Sequence, residues 1–197
     1  MSERLILASG SAIRKRILEN AGVTFQVVTS QTDEDAVKDS KPDWTASALA
    51  ARLAADKALA VSALHPDAHV IGADQVLSLD GVLFDKARNK TEARERLLAF
   101  RGKTHELHGG LAIARKGEII WQHDEVSTLV MRDFSDVFLA DYMESAGDEL
   151  TASVGCYAYE GLGAQLFSEV RGDFYAILGL PLLPLLGFLR RDGVIEP

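Results

Sequence analysis

The residues best suited to binding an anion lie near the start of the chain, in the run Leu7-Ala8-Ser9-Gly10-Ser11 that is followed by Arg14. Small side chains before the first turn of a helix let an anion approach the free backbone N–H groups there, where the helix dipole is positive. An arginine in that turn could hold the same anion through charge-assisted hydrogen bonds. The run lacks the G-x-x-x-x-G-K-[ST] pattern of a P-loop. It therefore predicts either a phosphate site or an ordinary helix that is capped by serine.

Two charged residues, Lys57 and Asp74, stand in otherwise apolar parts of the sequence. Lys57 falls near the middle of the apolar stripe of a helix that we predict over residues 44–64. Its ammonium group must therefore either extend past the stripe to solvent or point into a polar cavity. Asp74 follows the apolar run His69–Ala73, where α/β proteins often place a catalytic group. A turn cap is the other interpretation of Asp74.

The remaining candidates are weaker when each is taken alone. The acidic run Asp33–Asp35, and Lys86 after a predicted hairpin, are also typical of solvated surface charge. The single cysteine, Cys156, excludes an internal disulfide and a multi-cysteine metal site. No G-x-S-x-G motif is present, so serine-hydrolase chemistry has no support.

Composition limits the class of protein. The chain has 197 residues, of which 47% are hydrophobic and 25% charged, as expected for one globular core that a cleft could split into two lobes. The net charge of −8 argues against a nucleic-acid or membrane partner, so an anionic substrate would need a local basic pocket. One cysteine, no signal-peptide pattern and no run of 18 apolar residues predict a cytoplasmic location.

The elements that must position these residues alternate between strand and helix patterns, which predicts an α/β fold with a mixed sheet. We predict strands over residues 4–8, 24–29, 68–73, 103–114 and 118–131, with a hairpin at Asp80-Gly81. We predict helices over residues 11–21, 44–64, from Asn89 or Thr91 to Phe100, from a Ser135 cap to about Glu144, and over Ile177–Leu189. The polar stretch 31–41 is predicted to be a loop.

These motifs occur in an order that resembles the Maf nucleoside triphosphate pyrophosphatases over nearly the whole chain, so residues 1–197 are expected to form a single Maf-like domain. The matching pieces are individually weak and jointly specific: Leu7-Ala8-Ser9-Gly10-Ser11 with Arg14, Asp33-Glu34, Lys57-Ala58, Gly72-Ala73-Asp74-Gln75-Val76, Lys86, Gly102-Lys103-Thr104-His105-Glu106, Glu160-Gly161 and Gly179-Leu180-Pro181-Leu182. The resemblance implies a mixed, bent central sheet flanked by helices, two lobes with a cleft, and frequent homodimers. It also implies metal-dependent cleavage of a nucleoside triphosphate to the monophosphate and pyrophosphate.

The resemblance also implies a role for each candidate residue. Asp74, Lys57 and Lys86 would be catalytic, with Asp74 activating the attacking water. Ser9, Ser11 and Arg14 would bind the phosphates. Gln75 and Glu160 would lie near the base. Glu34 and Asp74 would be ligands of Mg²⁺ or Mn²⁺.

Two details resemble the branch that acts on 7-methyl-GTP. They are Asp74-Gln75 and Glu160-Gly161, where the dTTP/UTP branch usually has Asp-Thr and Gln-Gly. The chain departs from the family at Ile13, where an arginine is usual, in Asp85-Lys86-Ala87 for Gly-Lys-Pro, and in Ala152–Tyr157, which lacks the lysine of Lys-Ala-Gly-x-Tyr. These departures keep two alternatives open. One is dTTP, UTP or another non-standard nucleotide as substrate. The other is a nucleotide-binding regulator of cell division, a septum formation inhibitor with little turnover.

Overall fold

The structure is a computed structural model that describes residues 5–41 and 43–196. Arg4, the first residue of the predicted strand 4–8, lies outside these ranges. The strands are β1 Leu5–Leu7, β2 Gln26–Val27, β3 His69–Leu79, β4 Val82–Phe84, β5 Thr104–Arg115, β6 Glu118–Met131 and β7 Phe167–Arg171. The helices are α1 Ala12–Asn20, α2 Glu34–Asp39, α3 Ala46–Ser62, α4 Lys90–Phe100, α5 Asp136–Ala146, α6 Glu149–Ala152, α7 Phe174–Ile177 and α8 Leu182–Arg191, with a 3₁₀ turn at Leu162–Leu166.

Within the described residues, seven strands form one mixed sheet of order β2-β1-β3-β5-β6-β7, with β4 paired to β3. β1 is parallel to both β2 and β3, whereas the β3–β4 and β6–β7 pairs are antiparallel. The prediction of an α/β fold with a mixed sheet and flanking helices is confirmed. In the part of the chain that the structure describes, no helix is long and apolar enough to cross a membrane.

The chain divides into two compact units. The first comprises Met1–Gln75, His108–Glu125 and Asp173–Pro197, and the second comprises Val76–Leu107 and Val126–Gly172. In the first unit, alternate residues of β3 and β5 face opposite sides of the sheet. Ile71 and Ile113 pack with α1 and α8, while Ala112 packs with Ala54 of α3 on the other side. The sheet of this unit therefore lies between two helical layers.

Two glycines let α3 approach the sheet closely in the first unit. A Cβ atom on Gly72 of β3 would lie 2.1 Å from the Ala54 carbonyl oxygen, and one on Gly110 of β5 would lie 2.4 Å from the Ala50 carbonyl oxygen. Neither position has room for any side chain. The small residues of α3 and these glycines together set the distance between helix and strands.

The local turn and capping signals are confirmed. Asp80 and Gly81 have φ values of 52° and 80°, as a two-residue type I′ hairpin requires, and they join β3 to β4. Asn89 and Ser135 cap α4 and α5 through side-chain oxygens that accept backbone N–H groups. These short-range signals are strong because the required backbone conformation suits few residue types.

Four expectations were wrong in detail. The stretch 31–41 is not all loop, because Asp33 accepts the Ala36 N–H at 3.0 Å and starts α2. β3 does not end before Asp74, because its distal residues pair with β4 and extend it to Leu79. The predicted strand 24–29 shortens to β2, which has two residues.

The predicted helix Ile177–Leu189 is the fourth of these expectations. It is broken by Gly179, whose φ of +94° ends α7 before α8 begins.

The core of the second unit contains a buried histidine among aromatic rings. His105 stacks on Phe100 with ring centroids 5.0 Å apart, and its Nε2 lies 2.8 Å from the Tyr157 hydroxyl. Phe167 contacts both His105 and Tyr157. Burial disfavours the imidazolium form and lowers the pKa of His105 to about 4. His105 is therefore neutral in the folded chain at neutral pH.

This burial predicts a loss of stability at mildly acidic pH. The unfolded chain binds a proton at His105 with a pKa near 6.5, whereas the folded chain does so only near 4, so stability falls as the pH drops through this interval. Between pH 7 and pH 5, His105 should remove about 2 kcal/mol from the free energy of unfolding. Urea unfolding at the two pH values measures this loss. His105→Gln should show a smaller loss than the parent and than the half-buried control His65→Gln. An equal loss in all three proteins would contradict the assignment.

Candidate active site

The first unit holds a buried ion cluster centred on Lys57. Its Nζ lies 2.6 Å from Oδ1 of Asp74 and 2.7 Å from Oε1 of Glu34. Lys57 and Asp74 are each only 8% exposed. The lysine therefore does not extend along the helix to solvent but places its charge between two carboxylates. The structure thus supports the second of the two interpretations of Lys57, in which its ammonium group points into a polar interior.

Close packing of α3 on β3 explains why these two side chains meet. Asp74 is two residues beyond Gly72 in the same strand, so it points to the side of the sheet that α3 covers. A Cβ atom on Gly72 would lie 2.7 Å from the backbone nitrogen of Ala58, the neighbour of Lys57. The glycine thus brings the helix turn that carries Lys57 within reach of the strand that carries Asp74.

Glu34 comes from α2, which packs less extensively against the rest of the first unit than α3 does. None of the six residues of α2 is buried, and the Glu34 side chain is 45% exposed. The indole Nε1 of Trp44 donates to the Val37 carbonyl at 3.1 Å and connects α2 to the segment before α3. The Glu34–Lys57 ion pair is therefore a second specific contact that joins this helix to the rest of the first unit.

Arg14 adds a second cation. Its Nε donates to the Gly179 carbonyl at 2.8 Å, and its Nη1 donates to Oγ of Ser9 at 3.2 Å. Oγ of Ser11 accepts the Arg14 backbone N–H at 3.4 Å, so Ser11 does cap α1. The capping interpretation is confirmed, and phosphate binding by Ser9, Ser11 and Arg14 stays a prediction.

The residue before Arg14 points elsewhere. Ile13 is half-buried and packs against the apolar cluster that includes Leu18, Leu180 and Leu185. At the position where the resemblance expects a second arginine, the chain therefore has a residue of its hydrophobic core.

The electrostatics of the cluster single out Asp74. Burial raises the pKa of Asp74 above its ordinary value, while the charges of Lys57 and Arg14 and the hydrogen bond from Lys57 oppose this rise. The nearby Glu34 charge raises it further. A carboxylate with a raised pKa inside a set of cations is suited to accept a proton from a bound water molecule.

The donor chemistry of the two carboxylates, Glu34 and Asp74, decides whether they could hold a metal ion. Within residues 5–41 and 43–196, no group of three or more His, Cys, Asp or Glu side chains is arranged to hold a metal ion. Mg²⁺, however, is commonly bound by one or two protein carboxylates, with substrate phosphates and water completing its ligands. Glu34 and Asp74 meet at one ammonium group, so they fit this shared type of site.

The other predicted residues are placed as follows. Nε2 of Gln75 donates to the carbonyls of Ala176 and Ile177, at 3.0 and 3.2 Å, in the same unit. Lys86 and Glu160 are exposed and belong to the second unit. The first unit thus brings together Ser9, Arg14, Glu34, Lys57 and Asp74.

Sequence reasoning gave no role to Gly179, whose carbonyl holds Arg14. The available signal was the motif Gly179-Leu180-Pro181-Leu182, which supported the resemblance without indicating a contact.

Comparison with known proteins identifies the family of the chain. Residues 4–192 match the family described as Maf-like protein. The chain belongs to the Maf-like family. A relative from Maricaulis maris is 52% identical over 98% of both chains, and one from Paramagnetospirillum magneticum is 50% identical over 98% of this chain and 100% of the relative. A relative from Caulobacter vibrioides is 49% identical over 96% of both chains. Each of these three proteins is named a nucleoside triphosphate pyrophosphatase, and the names specify no base.

The cluster predicts an electrostatic coupling that can be measured without any substrate. Lys57→Met removes a cation that lowers the pKa of Asp74, so the pKa of Asp74 should rise further above its ordinary value. The measurement is a ¹³C NMR titration of the aspartate carboxyl carbons, with Asp74→Asn to assign the signal. Lys15→Met, which alters an exposed pair with Glu19, is the control and should leave the titration of Asp74 unchanged. An unaltered Asp74 midpoint in Lys57→Met would show that the ion pair does not exist in solution.

Proposed function

We propose that this Maf-like chain hydrolyses a nucleoside triphosphate to the nucleoside monophosphate and pyrophosphate. The observation that carries the proposal is the pair of buried residues Lys57 and Asp74, with Glu34 bound to the same ammonium group and Arg14 nearby. Relatives that are about half identical over nearly their full length bear the name of this activity. The chain has a net charge of −8, so these local cations are what would attract a polyphosphate.

The proposed reaction is an attack by water on the α-phosphorus. The water oxygen forms the new bond to phosphorus, the bond from phosphorus to the bridging oxygen of the β-phosphate breaks, and pyrophosphate leaves. Asp74 accepts the proton that the water loses. Its burial supports this role, because burial favours the protonated carboxyl that results.

The cations act on the charge that develops on the phosphoryl oxygens. In phosphoryl transfer the protein contributes mainly positioning and charge neutralisation. Arg14 and Lys57 would supply positive charge from the first unit, and Ser9 and Ser11 would donate hydroxyl groups to phosphate oxygens. Lys86 is assigned a similar role on the strength of the resemblance alone.

A divalent ion, Mg²⁺ or Mn²⁺, is part of the proposal. Glu34 and Asp74 would hold it, since both offer hard oxygen donors. When bound, such an ion would neutralise phosphate charge and make a coordinated water more acidic.

For the base we propose 7-methylguanine. The support is Asp74-Gln75 and Glu160-Gly161, which resemble the 7-methyl-GTP branch. A carboxylate can accept hydrogen bonds from the N1–H and N2–H₂ groups of guanine, and methylation at N7 gives the base a positive charge that a nearby Glu160 favours. The resemblance alone also implies a position near the base for Gln75.

One assay separates the proposal from its alternatives. Pyrophosphate release is measured from 7-methyl-GTP, GTP, dTTP and UTP with Mg²⁺, with Mn²⁺ and with a chelator. We expect metal-dependent release that is fastest with 7-methyl-GTP. A preference for dTTP or UTP would favour the pyrimidine alternative, and tight nucleotide binding without release would favour the regulator of cell division. A homodimer, which the resemblance implies, is a separate prediction that sedimentation would test.

Asp74→Asn should abolish most turnover. The amide cannot accept the proton of the attacking water, and loss of a positioned base costs about 10²–10⁴-fold in kcat. The exposed Asp67→Asn serves as the matched control and should retain full activity. Circular dichroism and the unfolding midpoint establish that the variant is folded. Retention by Asp74→Asn of more than about a tenth of the parent kcat would exclude the proposed role.

Glu160→Gln should reduce the preference for 7-methyl-GTP. The substitution keeps the shape of the side chain and removes its charge, so kcat/KM for 7-methyl-GTP should fall relative to kcat/KM for dTTP and UTP. Loss of one hydrogen bond to a charged group predicts a change in this ratio of about tenfold or more. Glu144→Gln, on the exposed face of α5, is the control and should leave the ratio unchanged. A ratio that does not move would remove Glu160 from base recognition.

A further inference from the structure

We propose that Gln75 is a positioning residue that fixes Arg14 through the turn Phe174–Gly179. The consequence for turnover rests on the proposed function, whereas the structural coupling does not. Gln75 follows Asp74 directly in β3, so one strand would carry the proton acceptor and also anchor the turn that holds the cation.

The first link joins Gln75 to the end of α7. Its Nε2 donates to the Ala176 carbonyl at 3.0 Å and to the Ile177 carbonyl at 3.2 Å. Carbonyls in the last turn of a helix have no partner further along that helix, so they accept from side chains or from a tightened turn. Here the Ala176 carbonyl also accepts the Gly179 N–H at 2.9 Å. The amide of Gln75 and the backbone of Gly179 thus share one acceptor.

The second link joins Gly179 to Arg14. The Gly179 carbonyl accepts from Nε of Arg14 at 2.8 Å, across 165 residues of sequence. Gly179 has a φ of +94°, and a Cβ atom there would lie 3.4 Å from Nη2 of Arg14. Together with the bond from Nη1 to Ser9, the turn fixes the plane of the guanidinium group.

This geometry distinguishes two roles for Gln75. If Gln75 acts on Arg14, its loss loosens the guanidinium group and weakens the reaction equally for every base, because all the substrates carry the same triphosphate. If Gln75 instead contacts the base, its loss changes the ratio between bases and leaves Arg14 unaffected. The two hydrogen bonds to Ala176 and Ile177 favour the first role, since they hold the side-chain amide nitrogen against the turn that carries Gly179.

The structural test observes Arg14 directly. Solvent exchange of the Arg14 Nε–H is measured by ¹⁵N NMR, with Arg14→Lys used to assign the signal. Gln75→Met keeps the side-chain length and removes the donors, so exchange should become about fivefold to tenfold faster. Gly179→Ala should act in the same direction because its φ is unfavourable for alanine. The exposed Gln122→Met is the matched control and should leave exchange unchanged. Unchanged exchange in a folded Gln75→Met would overturn the proposal.

The kinetic test uses a double-mutant cycle. Gln75→Met should lower kcat/KM by a similar factor, about fivefold to tenfold, for 7-methyl-GTP, GTP and dTTP. The same substitution made in the Arg14→Lys background should have little further effect, because coupled residues are not additive. A changed ratio between bases with normal Arg14 exchange would place Gln75 at the base and overturn the positioning role. If the parent protein releases no pyrophosphate from any triphosphate, the proposed function fails, while the exchange measurement still decides the coupling.

Discussion

The buried ammonium of Lys57 is the interaction on which the rest of the candidate site depends. A lysine and an aspartate that are each 8% exposed cannot both remain charged in an apolar interior unless they neutralise one another. With Glu34 as a second anion and Arg14 as a second cation, the cluster carries no formal net charge. Removing Lys57 or Asp74 would leave the other as an uncompensated buried charge, which is far more costly than breaking an exposed ion pair. These two residues are therefore stable only as a pair, and the fold must place them together.

Close contact between helix α3 and strand β3 brings Lys57 and Asp74 together. Gly72 and Gly110 bring the backbone of α3 against β3 and β5, where a single methyl group would collide with helix carbonyls. This contact leaves little freedom in the distance between Lys57 and Asp74. The cation Arg14 comes from the start of α1, where Gly179 and Ser9 hold its guanidinium group. The anion Glu34 comes from α2, which buries none of its residues and is therefore less constrained than the Lys57–Asp74 pair.

Much of this arrangement could be predicted from local sequence, and the rest could not for a physical reason. Lys57 stood out because its charge interrupts an apolar stripe, and Asp74 because it directly follows a buried apolar run. The hairpin at Asp80-Gly81 followed from backbone conformations that few residues adopt. The helix α2 was missed because it buries none of its residues, so its sequence shows no apolar period. The bond between Arg14 and Gly179 joins residues 165 positions apart, and no local pattern encodes it.

The direction of side chains on α1 explains the departure from the family at Ile13. Neighbouring residues on a helix point about 100° apart, so Ile13 and Arg14 at the start of α1 face different surroundings. Ile13 meets the apolar cluster that contains Leu180 and Leu185, and Arg14 meets Ser9 and Gly179. An arginine at position 13 would place a charged side chain beside that cluster, where the isoleucine makes an apolar contact. The isoleucine therefore contributes to the packing of the helix whose first turn carries Arg14, and Arg14 and Lys57 are the cations that act on Asp74.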